Sequence, residues 1–497
     1  MVNNRLSRNS VDRILIPLSV LIFSYTLVRA YLLSITWDEA YTYLEFVNRG
    51  IIFPHNFSVM SANNHLLNTW LEIFLVKCFG VNEFVLRLPS LAGHFLFLFF
   101  SLKLVRNFEI KGFAIAAFLV INLNPYLLDF FSLARGYGLS MGLLMGSIYF
   151  LNLFIQLGNK NKNAILSVLF ASLAVLANIT LLNYYLLLIC ILIFLTAYLI
   201  GNSKPVFENK LKVFFSVLLF PIGISILFLF FVLPYIFHLK DGGAFFYGGK
   251  TGFYADTFSE TLNRLFYEIG NWNWVMWITK ITVALIFLVG IILTTRGFIK
   301  KQITGRKLFF ASLLFLSIFG GILSIVQHYW FGIPYLIGRT ALHLVVLFTL
   351  GIVFFLREMT NVKLLSIFYL FTLLIITHFI FTVNFNSVYD WKSNAETKEV
   401  VSDLQEINNK TISTSIAISS SLELSEPIEY YKEINKMDWL NNILFTENIN
   451  VEATYFYLTK IDFEKMPENT FEIIEKYPLS ETVLARRKWK SSPSFNF

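Results

Sequence analysis

The segment ITWDEAYTYLEF, residues 35–46, sets two carboxylates side by side, Asp38 and Glu39, where a long apolar run ends. Trp37, Tyr41, Tyr43 and Phe46 flank them, and such residues concentrate at the water–lipid boundary. An acidic pair at such a place is most simply a solvated turn. Held among aromatics, a carboxylate there is also placed to act on a molecule with a lipid tail and a polar head. Asp129, in YLLDFFSLARG, lies deeper in apolar sequence, where a charge needs a partner such as nearby Arg135 or lines a cavity. Other chemistries have no signature. There is no HExxH, no paired CxxC, no Walker A sequence and no DxD on a soluble side. Cys78 and Cys190 stand far apart in apolar surroundings and read as buried, inert thiols.

What must position these residues is a membrane fold. Of 497 residues, 56% are hydrophobic and 14% charged, against roughly 25% charged in soluble domains. The apolar residues fall in blocks long enough to cross a hydrocarbon core. Eleven spans are expected: 14–35, 86–105, 113–130, 138–157, 164–180, 183–200, 213–234, 275–294, 308–326, 341–357 and 364–385. The arginines before the first span mimic the start of a signal peptide. The run is too long for one and no small-residue cleavage site follows, so it reads as a retained span. With the N-terminus in the cytoplasm, the inner segments carry 18 Lys and Arg and the outer segments up to Phe385 carry 8. That bias is the positive-inside pattern. The net charge of +8 is spread over these short loops, which argues against nucleic acid as a partner and for the lipid bilayer.

Residues 1–385 therefore read as a transmembrane domain with a long first outer loop, 36–85. Within that loop, HLLNTWLEIFLVKCFG places Leu67, Trp70, Leu71, Phe74, Leu75 and Cys78 on one helical face, as in a helix lying in the interface. A second outer loop contains KDGGAFFYGGKTGFYAD, whose glycines predict mobility. From 386 to 497 the chain turns polar and reads as a small soluble α/β domain. Strands are expected in ISTSIAIS, ATYFYLTKI and ETVLARRK, and helices in NAETKEVVSDLQEI, EPIEYYKEI and ENTFEIIEKY.

Four elements in order carry a family likeness: WDEAYTYLEF, NNHLLNTWLEIFLVKCFG, VNEFVLRLPSL and NPYLLDFFSLARGYGLSMGLL. They resemble the membrane-integral GT-C-fold glycosyltransferases, in the protein mannosyltransferase-like branch that includes RgtA-type and aminoarabinose transferases. The likeness covers most of the chain and is strongest over 35–140. His65–Leu66 stands where the family has His-Pro, so the turn there departs from the pattern.

The resemblance implies transfer of a sugar from a polyprenyl phosphate to an acceptor hydroxyl of a glycolipid, polysaccharide or protein. The reaction would run on the outer face of a bacterial inner membrane, with inversion. Asp38 matches the family's catalytic acidic position and is expected to take the acceptor's proton, a role that suits a carboxylate. Glu39 is expected to contact acceptor or metal. The phosphate gathers charge as it leaves and needs cations aimed at it. Arg135, with Tyr137 in ARGYG, and Arg339 in LIGRT match family elements and rank above Lys240 and Lys250. A span-end arginine can equally snorkel to headgroups. Arg87 in LRLPS is expected to orient the first loop. Asn64 and His65 belong to the acceptor or loop region. Some relatives hold a divalent metal with a histidine and a carboxylate, which makes Glu39, His65 and His328 candidates. The Gly-rich loop 240–255 is expected to close over substrate. The alternative, a transporter or flippase for a lipid-linked sugar, predicts repeated halves and polar residues at mid-membrane; the spans hold few charges and the sequence shows no repeat.

Overall fold

The computed structural model describes residues 2–52, 61–158, 161–201, 207–267, 273–300, 302–359, 361–411, 415–445, 453–467 and 470–488. In chain order the helices are α1 (Val2–Leu32), α2 (Trp37–Thr42), α3 (Leu66–Phe79), α4 (Glu83–Val105), α5 (Lys111–Asn122), α6 (Pro125–Phe131), α7 (Gly136–Leu157), α8 (Asn161–Ala177), α9 (Leu182–Gly201), α10 (Phe207–Asp241), α11 (Glu260–Leu265), α12 (Asn273–Ile299), α13 (Gly305–Phe331), α14 (Leu342–Glu358) and α15 (Val362–Thr382). Among the described residues, α1, α4, α7, α9, α10, α12, α13, α14 and α15 are long and apolar enough to cross a membrane. This is a multi-pass membrane protein.

All eleven expected spans fall on helix, with two differences. The third is broken into α5 and α6, bent by 64°. The break lies at Leu123–Asn124, where the Asn124 side chain caps the N–H of Leu127 and Pro125 opens the new helix. The fifth is α8, of 17 residues, short for a straight crossing. Cys78 and Cys190 are free as expected, but both are exposed, because the helices that bear them turn apolar faces outward.

By its contacts the chain divides into two units. One comprises Met1–Leu27, Phe53–Asn68 and Leu88–Val383; the other comprises Val28–Ile52, Thr69–Arg87 and Asn384–Phe497. In the first, α4 and α7 approach backbone to backbone. A methyl group on Gly142 would sit 2.0 Å from the Gly93 carbonyl, and one on Gly93 would sit 2.5 Å from that of Gly138. Glycines four apart on α7 are the small-residue pattern that lets membrane helices meet this closely.

The second unit carries α16 (Thr397–Thr411), α17 (Leu422–Ile434), α18 (Lys460–Phe463) and five strands: β1 (Ile416–Ser420), β2 (Leu440–Leu444), β3 (Tyr455–Thr459), β4 (Phe471–Tyr477) and β5 (Thr482–Arg487). The sheet order is β2-β1-β3-β5-β4. β1 is parallel to both β2 and β3, and β5 is antiparallel to β3 and β4. ENTFEIIEKY, expected as a helix, contains β4. Its aromatic and β-branched residues suit an edge strand, and the turn before β5, with Glu481 at φ 54°, folds it into a hairpin. β2 has no counterpart among the expected elements.

In α3, expected to lie in the interface, the polar residues Asn68, Thr69 and Glu72 are buried, whereas Phe74 and Phe79 are 62% and 67% exposed. A soluble helix would reverse that pattern. An apolar face turned outward fits a helix resting on lipid.

Candidate active site

Asp38 and Glu39 lie in the first turn of α2, and both are buried. The short helix starts where it does because Thr36-x-x-Glu39 forms a capping box. The Thr36 hydroxyl accepts from the Glu39 N–H, and Glu39 Oε2 accepts from the Thr36 N–H at 2.9 Å. Asp38 sits two residues past the Thr36 cap, and its carbonyl accepts from the Thr42 hydroxyl at 2.8 Å. Trp37 stacks on Tyr41 with ring centres 5.3 Å apart.

Glu39 is engaged by Arg87, which is 0% exposed. Arg87 Nε donates to Glu39 Oε1 and Arg87 Nη2 to Oε2, each at 2.9 Å. The remaining donors reach the carbonyls of Ala30, Leu33 and Ser34, at the end of α1. All five guanidinium protons are thereby used, and a helix C-terminus receives the cation its carbonyls favour. Arg87 thus orients the first loop. Both Glu39 oxygens serve the cap and the ion pair, which brace the segment that bears the neighbouring Asp38.

Residues of the C-terminal region fasten the same segment. The Asn394 side chain accepts from the Trp37 N–H at 2.9 Å. The Tyr431 hydroxyl accepts from the Ile35 N–H at 3.0 Å and donates to Glu83 at 2.9 Å. Lys398 pairs with that carboxylate at 3.2 Å. Burial and the nearby Glu83 carboxylate keep the Tyr431 phenol well above its ordinary pKa, so it remains a donor.

The other unit holds the cations. Arg135 is 1% exposed, in extended backbone just before α7. Its guanidinium donates to the side-chain and main-chain oxygens of Asn63 and lies 5.8 Å from the centre of the Tyr137 ring. The Ser90 hydroxyl donates to its carbonyl at 2.8 Å. Tyr137 also meets His65 edge to face at 4.8 Å. Asn64 and His65 are each 6% exposed. Burial first, then the charges of Arg135 and Arg339, hold the His65 imidazole well below its ordinary pKa, and it is neutral at pH 7. One glycine makes this packing feasible: a methyl group on Gly136 would stand 1.9 Å from the Ala177 carbonyl and 2.6 Å from His65 Cβ.

Arg339 is half-buried, with its guanidinium 4.3 Å from the centre of the Tyr247 ring and donating to the Tyr247 hydroxyl at 3.4 Å. Tyr247 belongs to the Gly-rich loop, which makes hydrogen bonds at two places. Gly249 and Tyr335 exchange two main-chain hydrogen bonds of 2.9 Å, and Asp256 accepts from the N–H groups of Thr251 and Gly252. Lys240 goes elsewhere, over the Phe331 ring at 5.5 Å, and Lys250 is exposed. His328 stacks on Tyr335 at 4.1 Å, and its Nδ1 is 3.0 Å from the Ile333 carbonyl. Asp129 receives the Tyr267 hydroxyl at 3.5 Å.

Two contributors had escaped attention in the sequence. Asn63, beside Asn64, carries the contact to Arg135. Arg264 pairs with Glu260 at 2.9 Å and packs where a methyl group on Gly338 would stand, 2.7 Å from its Nε. The small residue before Arg339 was the available signal. For a divalent ion the fit is poor. Among the described residues no three His, Cys, Asp or Glu side chains are grouped to hold one, and Glu39 is committed to Arg87.

Spans and sheet together define a helical, multi-pass membrane protein with a C-terminal α/β domain. No family model matches the sequence, and no curated protein does. The structure is similar to the crystal structure of ArnT from Cupriavidus metallidurans in the apo state, with a TM-score of 0.48, 8% identity, 95% of this chain and 97% of that chain covered. It is likewise similar to ArnT from the same organism bound to undecaprenyl phosphate, with a TM-score of 0.40, 8% identity and the same coverage.

Proposed function

We propose that the protein is a membrane glycosyltransferase that moves a sugar from a polyprenyl phosphate to an acceptor hydroxyl of a glycolipid, polysaccharide or protein, with inversion. The reaction takes place on the outer face of the inner membrane, with the N-terminus in the cytoplasm and the C-terminal domain outside. Asp38 takes the proton of the acceptor alcohol as its oxygen attacks the sugar's anomeric carbon. The bond from that carbon to the phosphate breaks, and the lipid leaves as polyprenyl phosphate. Arg135 and Arg339 stabilise the charge that collects on it. Glu39, Arg87 and Tyr431 position the base, and a positioned carboxylate gains its rate advantage from geometry as much as from basicity.

The observation that carries this reading is the buried Asp38 beside the end of α1, on a helix immobilised by a capping box and a buried ion pair. A merely solvated turn would need neither device. The motif likeness over 35–140 supports the same assignment.

The test uses the full chain in detergent, supplied with undecaprenyl phosphate sugars and a membrane lipid extract, with released undecaprenyl phosphate measured by mass spectrometry. Wild-type protein should release it. Asp38→Asn should fall by at least about 10²-fold, the usual worth of a positioned base, while melting like the wild type. Turnover by Asp38→Asn equal to the wild type would remove the base, and a wild type inert towards every donor would remove the activity.

A further inference from the structure

In the unit that bears Arg135 and Arg339, a small cleft of about 20 Å³, room for a single hydroxyl or water, opens beside His65. Its walls are largely apolar, from Leu66, Val175, Ile179, Val232 and Leu239, with Asn64, His65 and Tyr235 as polar insertions. His65 bonds to the Ala177 carbonyl, one of the carbonyls left open at the C-terminus of α8. Its Nε2 is buried and has no hydrogen-bond partner among the described residues, so the bond to Ala177 runs through Nδ1. A carbonyl only accepts, which puts the proton of the neutral ring on Nδ1 and a lone pair on Nε2. The Tyr235 hydroxyl, from α10, is likewise buried with no partner among the described residues. Two polar atoms left open on one cleft cost more stability than filling the places with apolar side chains would.

The ligand's chemistry follows from what these atoms accept. An anion has no proton to give the Nε2 lone pair. A cation is opposed by Arg135 and Arg339, whose charges both act on this ring. A neutral alcohol satisfies both atoms, donating to Nε2 and accepting from Tyr235. A sugar offers such hydroxyls, and a cleft of this size admits one of them while the ring stays outside.

We propose that the His65–Tyr235 cleft receives one non-reacting hydroxyl of the sugar on the prenyl-linked donor, and so selects the sugar-bearing lipid over the bare phosphate. The assignment rests on the glycosyltransferase reading above. It makes His65 a binding residue and leaves the base at Asp38.

The experiment measures affinity with the full chain in a zwitterionic detergent free of sugar headgroups. The probes are undecaprenyl phosphate and undecaprenyl phosphate carrying glucose, galactose, mannose or arabinose. Wild type should prefer at least one sugar form. His65→Ala and Tyr235→Phe should each weaken that form by about tenfold, the worth of one hydrogen bond with its partner left buried, and leave undecaprenyl phosphate unchanged. His65→Gln, whose amide oxygen can reach the place of Nε2, should recover part of the loss. Equal weakening of both lipids, or of neither, overturns the proposal, the second result meaning that the cleft holds only water. Thermal melts of each variant identify any loss that is simply misfolding, with Tyr235→Phe as the milder change. A wild type that binds neither lipid defeats the glycosyltransferase reading itself, an outcome distinct from a cleft indifferent to the sugar.

Discussion

Two buried clusters, one in each unit, treat their polar groups in opposite ways. Around Arg87 every guanidinium proton has an acceptor, and both oxygens of Glu39 are in use. Around His65 one ring nitrogen is spent on Ala177, while Nε2 and the Tyr235 hydroxyl stay open. A closed network fixes geometry, since each member restrains the others and nothing remains for a ligand. An open pair keeps a hydrogen-bonding capacity that only a visitor fills. The first arrangement suits holding a base still, and the second suits recognising a substrate.

The closed side should be the more expensive to break. Arg87→Met keeps much of the volume but leaves Glu39 buried without its charge partner, which costs about 3–5 kcal/mol. The variant should melt far below the wild type in detergent or fail to accumulate. Adding Glu39→Gln to Arg87→Met should restore part of that loss, because the orphaned charge is then gone. A single variant as stable as the wild type would mean that the pair is not a structural anchor, and the route by which Asp38 is held would need another source.

On the open side, the sharpest substitution is Gly136→Ala. The added methyl meets a main-chain carbonyl and the His65 side chain, neither of which yields cheaply. Overpacking of this kind costs about 1–3 kcal/mol, less than the orphaned charge. The displaced imidazole should cost the donor's sugar form its preference while bare undecaprenyl phosphate still binds. Sugar-lipid affinity equal to the wild type would show that the position of His65 does not matter for recognition.

The same contrast explains what was legible in the sequence. Apolar blocks and Lys/Arg bias reveal spans, and each expected span contains helix, because burial in lipid is a local, compositional demand. The capping box Thr36-x-x-Glu39 and the Asn124–Pro125 break depend on neighbours a few residues apart, yet neither was among the expectations, and 113–130 was expected as one unbroken span. Long-range partners were not legible. Nothing near Glu39 announces that its carboxylate belongs to Arg87, 48 residues on, or that Tyr431 meets Ile35 across 396. The glycines of 240–255 likewise do not announce the bonds that Asp256 and Tyr335 make to that loop, since a glycine's freedom says nothing about the bonds that use it. ENTFEIIEKY shows the remaining weakness, since an edge strand is decided by the strand beside it as much as by its own periodicity.

The smallest effect in the comparison is the dependence of stability on pH. Folded, His65 resists protonation, through burial first and then Arg135 and Arg339. Unfolded, a histidine takes a proton near pH 6.5. The unfolded chain therefore binds more protons than the folded one below that value, and stability falls as the solution is acidified. The arginines that face the ring keep their charge across the range and add no titration of their own. His65→Gln removes this contribution. Its melting temperature should decline less steeply than the wild type's between about pH 7.5 and 5.5, and the two should run parallel above about pH 7.5, where both forms of histidine are neutral. Parallel curves down to the acid end would mean that the ring takes its proton as readily folded as unfolded. The lone pair assigned to Nε2 would then be unavailable to a sugar hydroxyl in mildly acid solution, and the open pair would lose the property that distinguishes it from the closed one.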